Sequence, residues 1–186
     1  GFFPMILAEA GYHVTAIDYT PGMLEKAAEN AAKFIGEKSR NIEFKRMDAQ
    51  ALEFEDESFD VIISRNLTWT LPHVSHAYGE WLRVLKKGGV LLNFDANYGL
   101  TDFSNVADLP ENHAHNILGD DMMRECEEIK RQLPISSYSR PAWDLETLGS
   151  MEVKDFRVDL GISSRIYLEK DEFYNPTPLF MLRTVK

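Results

Sequence analysis

The chain has 186 residues, of which 30 are acidic and 20 are basic, so its formal net charge is −10. This length fits one domain, and 44% hydrophobic with 27% charged residues is the composition of a globular protein with a packed core. The acidic balance disfavours a nucleic-acid partner, because such binding needs Lys and Arg to neutralise phosphates. No apolar run approaches the roughly 18 residues that cross a bilayer, and the single cysteine excludes an internal disulfide. We therefore expect a small-molecule partner.

The first third of the chain alternates between helical and strand patterns. Good helix formers fill residues 2–10, and β-branched and aromatic residues fill 12–17 before the strand ends at Asp18. A second helix is predicted from Pro21 to residue 35. Its apolar face repeats at helical spacing and comprises Met23, Leu24, Ala27, Ala28, Ala31, Phe34 and Ile35.

The same cycle continues along the chain. Residues 42–47 predict a strand that closes on an acid, and the apolar run at 59–64 predicts a strand buried on both faces of a parallel sheet. Residues 74–87 predict an amphipathic helix broken by two glycines, followed by a buried strand over 90–94. The polar residues that follow the strand ends are Asp18, Asp48, Asn66 and Asp95.

Strands that alternate with helices in this way predict βαβ units. With right-handed crossovers they form an α/β fold with a doubly wound, mostly parallel sheet. Ligands in such sheets bind beyond the carboxyl ends of the strands, where the four polar residues just named are expected to lie.

The second half of the chain predicts two further parts. Residues 97–140 are interpreted as a helical insertion, either a lid over a small-molecule site or a helix that only covers the sheet. Its apolar stripe comprises Leu118, Met122, Cys126, Ile129 and Leu133. Residues 141–186 are expected to complete the α/β core of residues 1–96 with a short helix and an antiparallel C-terminal edge pair. The alternating residues of the first strand of that pair are Phe156, Val158, Leu160 and Ile162.

Two acids at successive strand ends indicate a nucleoside ligand. A carboxylate at Asp18 can accept hydrogen bonds from both ribose hydroxyls of NAD, FAD or S-adenosylmethionine. The next acid, Asp48, is followed by Ala49 and Gln50, and it can accept the amine of an adenine that lies between Tyr19 and the region of Leu67.

Three segments resemble class I S-adenosylmethionine-dependent methyltransferases, most closely the small-molecule group often called type 11. They occur in the family's order and spacing over residues 1–95: GFFPMILAEAGYHVTAIDYTPGML, MDAQALEFEDESFDVIISRN and WLRVLKKGGVLLNFD. The resemblance implies a Rossmann-like methyltransferase fold, S-adenosylmethionine as cofactor, and a C-terminal strand pair that matches the family's reversed hairpin. The family's first strand and earlier glycines are absent, which we interpret as an N-terminus that is truncated or disordered.

The resemblance also implies roles for single residues. Gly1 matches the last glycine of the cofactor loop, and Asp18 matches the acid that binds the ribose. Tyr19 and Met23 are expected to flank the adenosine. The adenine amine is expected near Asp48, Ala49 and Gln50, and the methionine part of the cofactor is expected near Asn66 and Leu67, beside Arg65.

Methyl transfer from a sulfonium is an in-line displacement that depends mainly on positioning, so no nucleophile motif is required and no catalytic residue is assigned. Trp69 and Tyr98 are predicted walls of the substrate pocket. His73 is a candidate base, with a polar role at a helix terminus as the alternative. His113 and His115 are interpreted as solvated, and no metal is expected.

The predicted function is transfer of a methyl group from S-adenosylmethionine to a small organic acceptor by a cytoplasmic monomer or homodimer, without a nucleic-acid or membrane partner. A noncatalytic methyltransferase-like binding module is one alternative, and an NAD-dependent oxidoreductase of the same sheet class is another. The single cysteine disfavours arsenic methylation. The acidic residues of the insertion are interpreted as solvated, with a cationic amine acceptor as the alternative: Glu111, Asp120 and Asp121.

Overall fold

The computed structural model describes residues 1–103, 109–172 and 174–186, with only the backbone described at positions 114 and 115. Within these ranges the chain forms two units, residues 1–55 and 56–186, and each is considered by itself.

The first unit is a parallel strand pair covered by helices. Its elements in chain order are α1 (Phe2–Glu9), β1 (Val14–Asp18), α2 (Pro21–Ile35), a 3-10 helix (Gly36–Asn41) and β2 (Ile42–Arg46). β1 and β2 pair in parallel, with the last residue of β1 opposite the last residue of β2. The core comprises Ala8, Ala31 and Ile42, with Met5, Val14, Ala16, Ile35 and Phe44 packed against them. The two α-helices and the two strands agree with those predicted from the sequence, whereas the 3-10 helix was not predicted.

The apolar face predicted for α2 is only partly buried. Ala31 is buried, whereas Met23 and Phe34 are 59% and 65% exposed. The small alanine side chain lets the helix approach the core closely, while Met23 and Phe34 remain largely in solvent. The Phe34 ring is covered instead by the ammonium group of Lys33, 5.0 Å from the ring centroid.

The second unit is built around a four-stranded mixed sheet. Its elements in chain order are β3 (Phe59–Arg65), α3 (Val74–Val84), β4 (Leu85–Ala96), α4 (Ala114–Leu118), α5 (Asp120–Gln132), α6 (Ala142–Gly149), β5 (Asp155–Asp159), α7 (Ile162–Ile166) and β6 (Leu179–Val185). The strand order is β3-β4-β6-β5, with β3 parallel to β4 and with β6 antiparallel to both of its neighbours. The antiparallel C-terminal pair is thus present as predicted, but β5 ends at Asp159, so Leu160 lies beyond the strand and Ile162 begins α7.

The helix predicted over 74–87 is shorter in the structure, because α3 ends at Val84 and the two glycines lie inside β4. The physical reason is pairing with the end of the chain. The Gly88 N–H donates to the Lys186 carbonyl (2.9 Å), and the Lys186 N–H donates to the Gly89 carbonyl (3.1 Å). These backbone hydrogen bonds draw the segment into the sheet, and Gly88 tolerates the positive φ of 78° that this requires.

The strand predicted at 59–64 is not buried on both faces. Asp60 and Val61 of β3 are exposed, and Ser64 is its buried residue. β3 is the outer strand of the second unit's sheet and pairs with β4 on one side. A strand in that position has fewer neighbours to cover it than a central strand has.

The predicted apolar stripe of the insertion is only partly covered, because Cys126 packs against the core but Met122 and Ile129 do not. Met122 and Ile129 are 47% and 54% exposed, whereas Met123, Glu127 and Lys130 form the buried face of α5. The buried charges are satisfied by each other and by backbone. The Glu127 carboxylate accepts from Lys130 Nζ (2.7 Å) and from the Phe103 N–H (3.0 Å), and Lys130 Nζ donates to the Thr101 carbonyl.

Replacing Glu127 by Gln should lower the free energy of unfolding by about 1–2 kcal/mol near neutral pH. Burial raises the pKa of the Glu127 carboxyl, but hydrogen bonds from Lys130 and Phe103 outweigh burial and hold that pKa below its ordinary value of 4.5. A lowered carboxyl pKa stabilises the folded state above 4.5, and this contribution is lost as the pH falls through the folded-state pKa.

Urea unfolding at a series of pH values measures this effect. The difference between wild type and Glu127→Gln should shrink as the pH falls below 4.5. Glu128→Gln, an exposed position on the same helix, is the control and should show little effect at any pH. A difference for Glu127→Gln that does not change with pH would contradict the assignment.

Candidate functional site

The carboxyl ends of β1 and β2 lie at one edge of the first unit. Asp18 is the last residue of β1, and Asp48 follows the end of β2 by two residues. The Met47 N–H donates to the Asp18 carbonyl (3.1 Å), which continues the parallel pairing one step beyond β2. The structure therefore places both predicted acids at the same strand edge, as parallel pairing requires.

The carboxylates of Asp18 and Asp48 are oriented by the same kind of local hydrogen bond. One carboxylate oxygen of Asp18 accepts the Thr20 N–H (2.8 Å), and one carboxylate oxygen of Asp48 accepts the Gln50 N–H (2.8 Å) and the Gln50 side-chain amide (3.2 Å). Each contact closes a turn in which an aspartate binds the backbone two residues ahead. The second oxygen of each carboxylate accepts no hydrogen bond within the described ranges, so each acid is oriented and keeps an acceptor for a ligand.

Apolar side chains flank this edge. Tyr19 and Met23 are 67% and 59% exposed, respectively. The Arg46 guanidinium lies 5.5 Å from the centroid of the Tyr19 ring, and Arg46 Nε donates to the Tyr19 carbonyl (3.2 Å). These contacts orient the Tyr19 ring at the end of β1, where an exposed aromatic surface can pack against a planar base.

Gly1 precedes α1 and lies beside Ala27 of α2. A Cβ atom at Gly1 would be 3.1 Å from the Cβ of Ala27, tighter than an ordinary contact. A residue without a side chain therefore fits this position, as the predicted role of Gly1 in a cofactor loop requires.

The remaining predicted cofactor residues lie in the second unit, directly after β3. Asn66 has a positive φ of 51°, and its N–H donates to the Phe94 carbonyl (2.9 Å). Its side-chain oxygen accepts from the Tyr98 hydroxyl (3.3 Å), which in turn accepts from the Asn175 amide (2.6 Å). The structure thus connects two residues predicted separately, Asn66 and Tyr98, through a hydroxyl whose burial raises its pKa.

A cavity of about 360 Å³ opens beside Trp69 in the second unit. Its lining comprises Arg65, Asn66, Trp69, Tyr98, Phe103, His113, Leu118, Met123, Cys126, Tyr167, Glu172, Tyr174, Asn175, Pro176 and Thr177. Trp69 packs against Tyr98 (ring centroids 4.7 Å apart) and against Phe103 (5.5 Å). The two predicted pocket walls therefore share one cavity, which is within the size range of small-molecule sites.

The predicted histidines differ in their placement. His73 is exposed at the N-cap of α3 and is not among the residues that line the cavity, so its role as a base stays a prediction. His113 is buried, and its Nε2 donates to the Tyr174 carbonyl (2.8 Å), which differs from the solvated position predicted for it. The side chain of His115 lies outside the described residues.

One acid predicted at the ligand edge is instead part of the core. Asp95 is fully buried, and one of its carboxylate oxygens accepts from Arg140 (3.2 Å), from the Trp69 N–H (3.0 Å) and from the Thr68 hydroxyl. Asp95 thus lies near the carboxyl end of its strand, as expected, but its carboxylate is engaged within the core and is not offered to a ligand. A tertiary partner 45 residues away supplies the positive charge, and the pair holds the Thr68–Thr70 turn that carries Trp69.

Several residues of this unit were not found by sequence reasoning. The segment that precedes β6 contributes three residues to the cavity lining, namely Tyr167, Tyr174 and Asn175. Arg140, which precedes Pro141, pairs with Asp95 in the core. Their sequence neighbourhoods carry no motif. Only the fold brings them to Trp69 and Asp95.

Comparison with known proteins identifies the family. Residues 1–93, half of the chain, match the methyltransferase domain family. The chain belongs to this family. The match covers both strand-end acids and the residues that follow β3, where the sequence resemblance had been recognised.

Individual relatives are consistent with this assignment. Demethylmenaquinone methyltransferase of Leptospira interrogans is 35% identical over 138 residues, which cover 73% of this chain and 54% of the relative. Phosphatidylethanolamine N-methyltransferase of Cereibacter sphaeroides is 36% identical over 76 residues, covering 41% of this chain and 36% of the relative. The chain thus spans about half, or less, of the length of the curated relatives that it matches.

A solved structure supports the fold. Phosphoethanolamine N-methyltransferase 2 of Haemonchus contortus, solved with phosphomonomethylethanolamine and S-adenosylhomocysteine, matches with a TM-score of 0.66 at 18% identity. The match covers 100% of this chain and 46% of that one. The predicted α/β, Rossmann-like methyltransferase fold is confirmed. In addition, no helix in the described ranges has the length and apolar character of a membrane span.

Proposed function

We propose that this protein transfers a methyl group from S-adenosylmethionine to a small organic acceptor. The observation that carries the proposal is the matched pair of carboxylates at Asp18 and Asp48. Each is oriented by a backbone N–H two residues ahead, and each keeps one oxygen for a ligand. Two such acceptors at one strand edge suit the donors of an adenosine, namely two ribose hydroxyls and one exocyclic amine.

The residues present fit the cofactor. In the proposed arrangement Asp18 binds the ribose, and Tyr19 and Met23 pack on the adenosine from their exposed positions. Asp48 accepts the adenine amine, with the residues Ala49 and Gln50 beside it. Gly1 keeps the start of α1 free of a side chain, and the pair of residues Asn66 and Leu67 binds the methionine part.

The side chains near the proposed site have a positioning role in methyl transfer. When bound, S-adenosylmethionine provides a methyl group on a positively charged sulfur. The side chains of this protein need to hold the acceptor in line and exclude water, which accounts for most of the rate gain in a displacement of this kind. Burial raises the pKa of Tyr98, so its hydroxyl stays protonated and serves as a fixed hydrogen-bond donor to Asn66, not as a base.

Calorimetric titration of the full-length protein with S-adenosylhomocysteine tests the proposal. Asp18→Asn retains a side-chain oxygen that can accept the Thr20 N–H in the turn, but it removes the negative charge. This variant should weaken binding about tenfold, because the hydrogen bonds to the ribose are no longer charge-assisted. Asp18→Ala should weaken it about a hundredfold.

The control is Asp159→Asn. Asp159 makes the same kind of turn, with the Gly161 N–H (2.9 Å), in the second unit, and its replacement should leave binding unchanged. Wild-type affinity in Asp18→Asn, or NAD binding as tight as that of S-adenosylhomocysteine, would overturn the proposed cofactor.

The finer assignments are part of the same proposal. We infer an acceptor that binds beside Trp69 and Tyr98, and a protein that acts in the cytoplasm as a monomer or homodimer without a nucleic-acid or membrane partner. The functional parts proposed are a cofactor-binding core over 1–96, an insertion over 97–140, and a C-terminal segment over 141–186. The acidic net charge of −10 supports the absence of a polyanionic partner.

A further inference from the structure

The cavity of the second unit has walls of aromatic rings that are inclined to one another. The planes of Trp69 and Tyr98 are inclined by 50°, those of Trp69 and Phe103 by 75°, and those of Tyr98 and Phe103 by 57°. Tyr167 and Tyr174 add a second edge-to-face pair, with centroids 5.6 Å apart. Tilted and edge-to-face contacts of this kind are the ordinary packing of aromatic side chains, and here they join buried Tyr98 and Phe103 to Trp69 in one apolar cluster at the cavity.

The ammonium group of a lysine side chain already lies over two of these rings. Lys130 Nζ lies 4.7 Å from the centroid of Phe103, and Lys170 Nζ lies 5.5 Å from that of Tyr174. Within the described ranges, no Lys or Arg covers Trp69, Tyr98 or Tyr167 in the same way. Indole is the ring that attracts a cation most strongly, so Trp69 is the best placed to bind a cationic ligand.

The cavity lining carries a side chain of each charge. Glu172 lines the cavity and is exposed, and one of its oxygens accepts from the Asn112 amide (3.2 Å). Arg65 lines the same cavity and has the opposite charge. The Tyr98 hydroxyl donates to Asn66 and accepts from Asn175, so its proton is not free to donate to a ligand.

We propose that this cavity binds the cationic head group of an alkylamine, which makes alkylamines the acceptor class; the inference rests on the methyl transfer proposed above. The ring faces and Glu172 attract the ammonium group, and Arg65 accommodates an anionic substituent elsewhere on the same molecule. In the proposed transfer the ammonium first loses one proton to solvent. The amine lone pair then forms the N–CH3 bond as the S–CH3 bond of the sulfonium breaks, and S-adenosylhomocysteine leaves. Each methylation makes the head group more apolar.

Choline and its uncharged analogue of the same shape, 3,3-dimethylbutan-1-ol, test the proposal directly. Each is titrated against the full-length protein without cofactor, and binding is followed by calorimetry and by Trp fluorescence. Choline is expected to bind at least tenfold more tightly than the neutral analogue. Equal binding of the two, or no binding of choline, overturns the proposal.

Substitutions in the cavity lining test whether choline binds there. Trp69→Leu keeps an apolar side chain but removes the ring, and should weaken choline binding about tenfold while leaving the neutral analogue nearly unaffected. Glu172→Gln should weaken it a few-fold, and Arg65→Gln should strengthen it, because like charges repel. The matched control is Trp143→Leu, since Trp143 stacks on Tyr138 outside the cavity. Choline binding that is unchanged in both Trp69→Leu and Glu172→Gln overturns the assignment.

The choline titration and the S-adenosylhomocysteine titration test two separate assignments. Choline is titrated without S-adenosylhomocysteine, and Asp18→Asn, which weakens binding of the latter, should not change choline binding. Loss of S-adenosylhomocysteine binding with choline binding intact would contradict the cofactor assignment alone. The reverse result would contradict the amine assignment alone.

Discussion

Replacing Arg140 by Met should lower the free energy of unfolding by about 3–5 kcal/mol, because the change leaves two buried carboxylates without their counter-charge. The Arg140 side chain is 2% exposed and pairs with Asp95 (3.2 Å) and Asp144 (2.7 Å), both of which are fully buried. It also donates to the Thr68 hydroxyl (2.7 Å), and Tyr78 completes the cluster through Asp144 (2.6 Å).

Urea unfolding followed by circular dichroism measures this loss. The difference in the free energy of unfolding between wild type and Arg140→Met should become smaller at low pH. A buried carboxylate that has lost its counter-charge has a raised pKa, so protonation neutralises it as the pH falls. Arg124→Met is the control. Arg124 forms an exposed pair with Asp121 on α5, and its loss should cost less than about 0.5 kcal/mol. Equal stability of the two variants would show that the buried cluster contributes little.

Replacing Gly99 by Ala should destabilise the protein by about 3 kcal/mol, at the upper end of the range for overpacking. A Cβ atom at this position would lie 2.1 Å from the carbonyl oxygen of Ser136 and 2.9 Å from its carbonyl carbon. These are backbone atoms of the Pro134–Ser137 turn, so relief requires the turn itself to move. The segment displaced on the other side is the Tyr98–Leu100 turn, which carries a wall of the cavity.

The matched control for Gly99→Ala is Gly79→Ala in the interior of α3. No atom lies within 4 Å of a Cβ built at Gly79, and alanine favours a helix over glycine, so this change should stabilise the protein by about 0.5–1 kcal/mol. Thermal unfolding of both variants gives the comparison, and choline titration of Gly99→Ala reports on the cavity wall. A Gly99→Ala protein as stable as wild type would mean that the two turns separate without cost.

The helices and strands of the first unit could be predicted from the sequence because local patterns determine them. Asp18 ends a run of β-formers, Pro21 begins a helix, and the apolar spacing of α2 follows one helical face. The position of both acids at one edge then follows from parallel pairing alone. Local preference failed where distant backbone intervened, as at Gly88 and Gly89, which extend β4 because Lys186 supplies their hydrogen bonds.

The burial of α5 was predicted less well because apolarity was used as the criterion. Two residues of the predicted apolar stripe, Met122 and Ile129, are exposed, whereas Glu127 and Lys130 are buried. A buried ion pair is stable only where specific partners satisfy it, and here these partners are the Phe103 N–H and the Thr101 carbonyl. No periodicity in the helix reveals partners that lie on another segment.

The sequence by itself determined the fold class and the positions of two carboxylates at successive strand ends, and it predicted that Trp69 and Tyr98 line one pocket, since each depends on residue type and local spacing. Only the tertiary structure decided which of the acids is available. Asp18 and Asp48 keep an open carboxylate oxygen at a strand edge, while Asp95 is neutralised by Arg140 in the core. The physical reason is that the role of a charge depends on its solvent exposure and its partners, and both are set by residues distant in the chain.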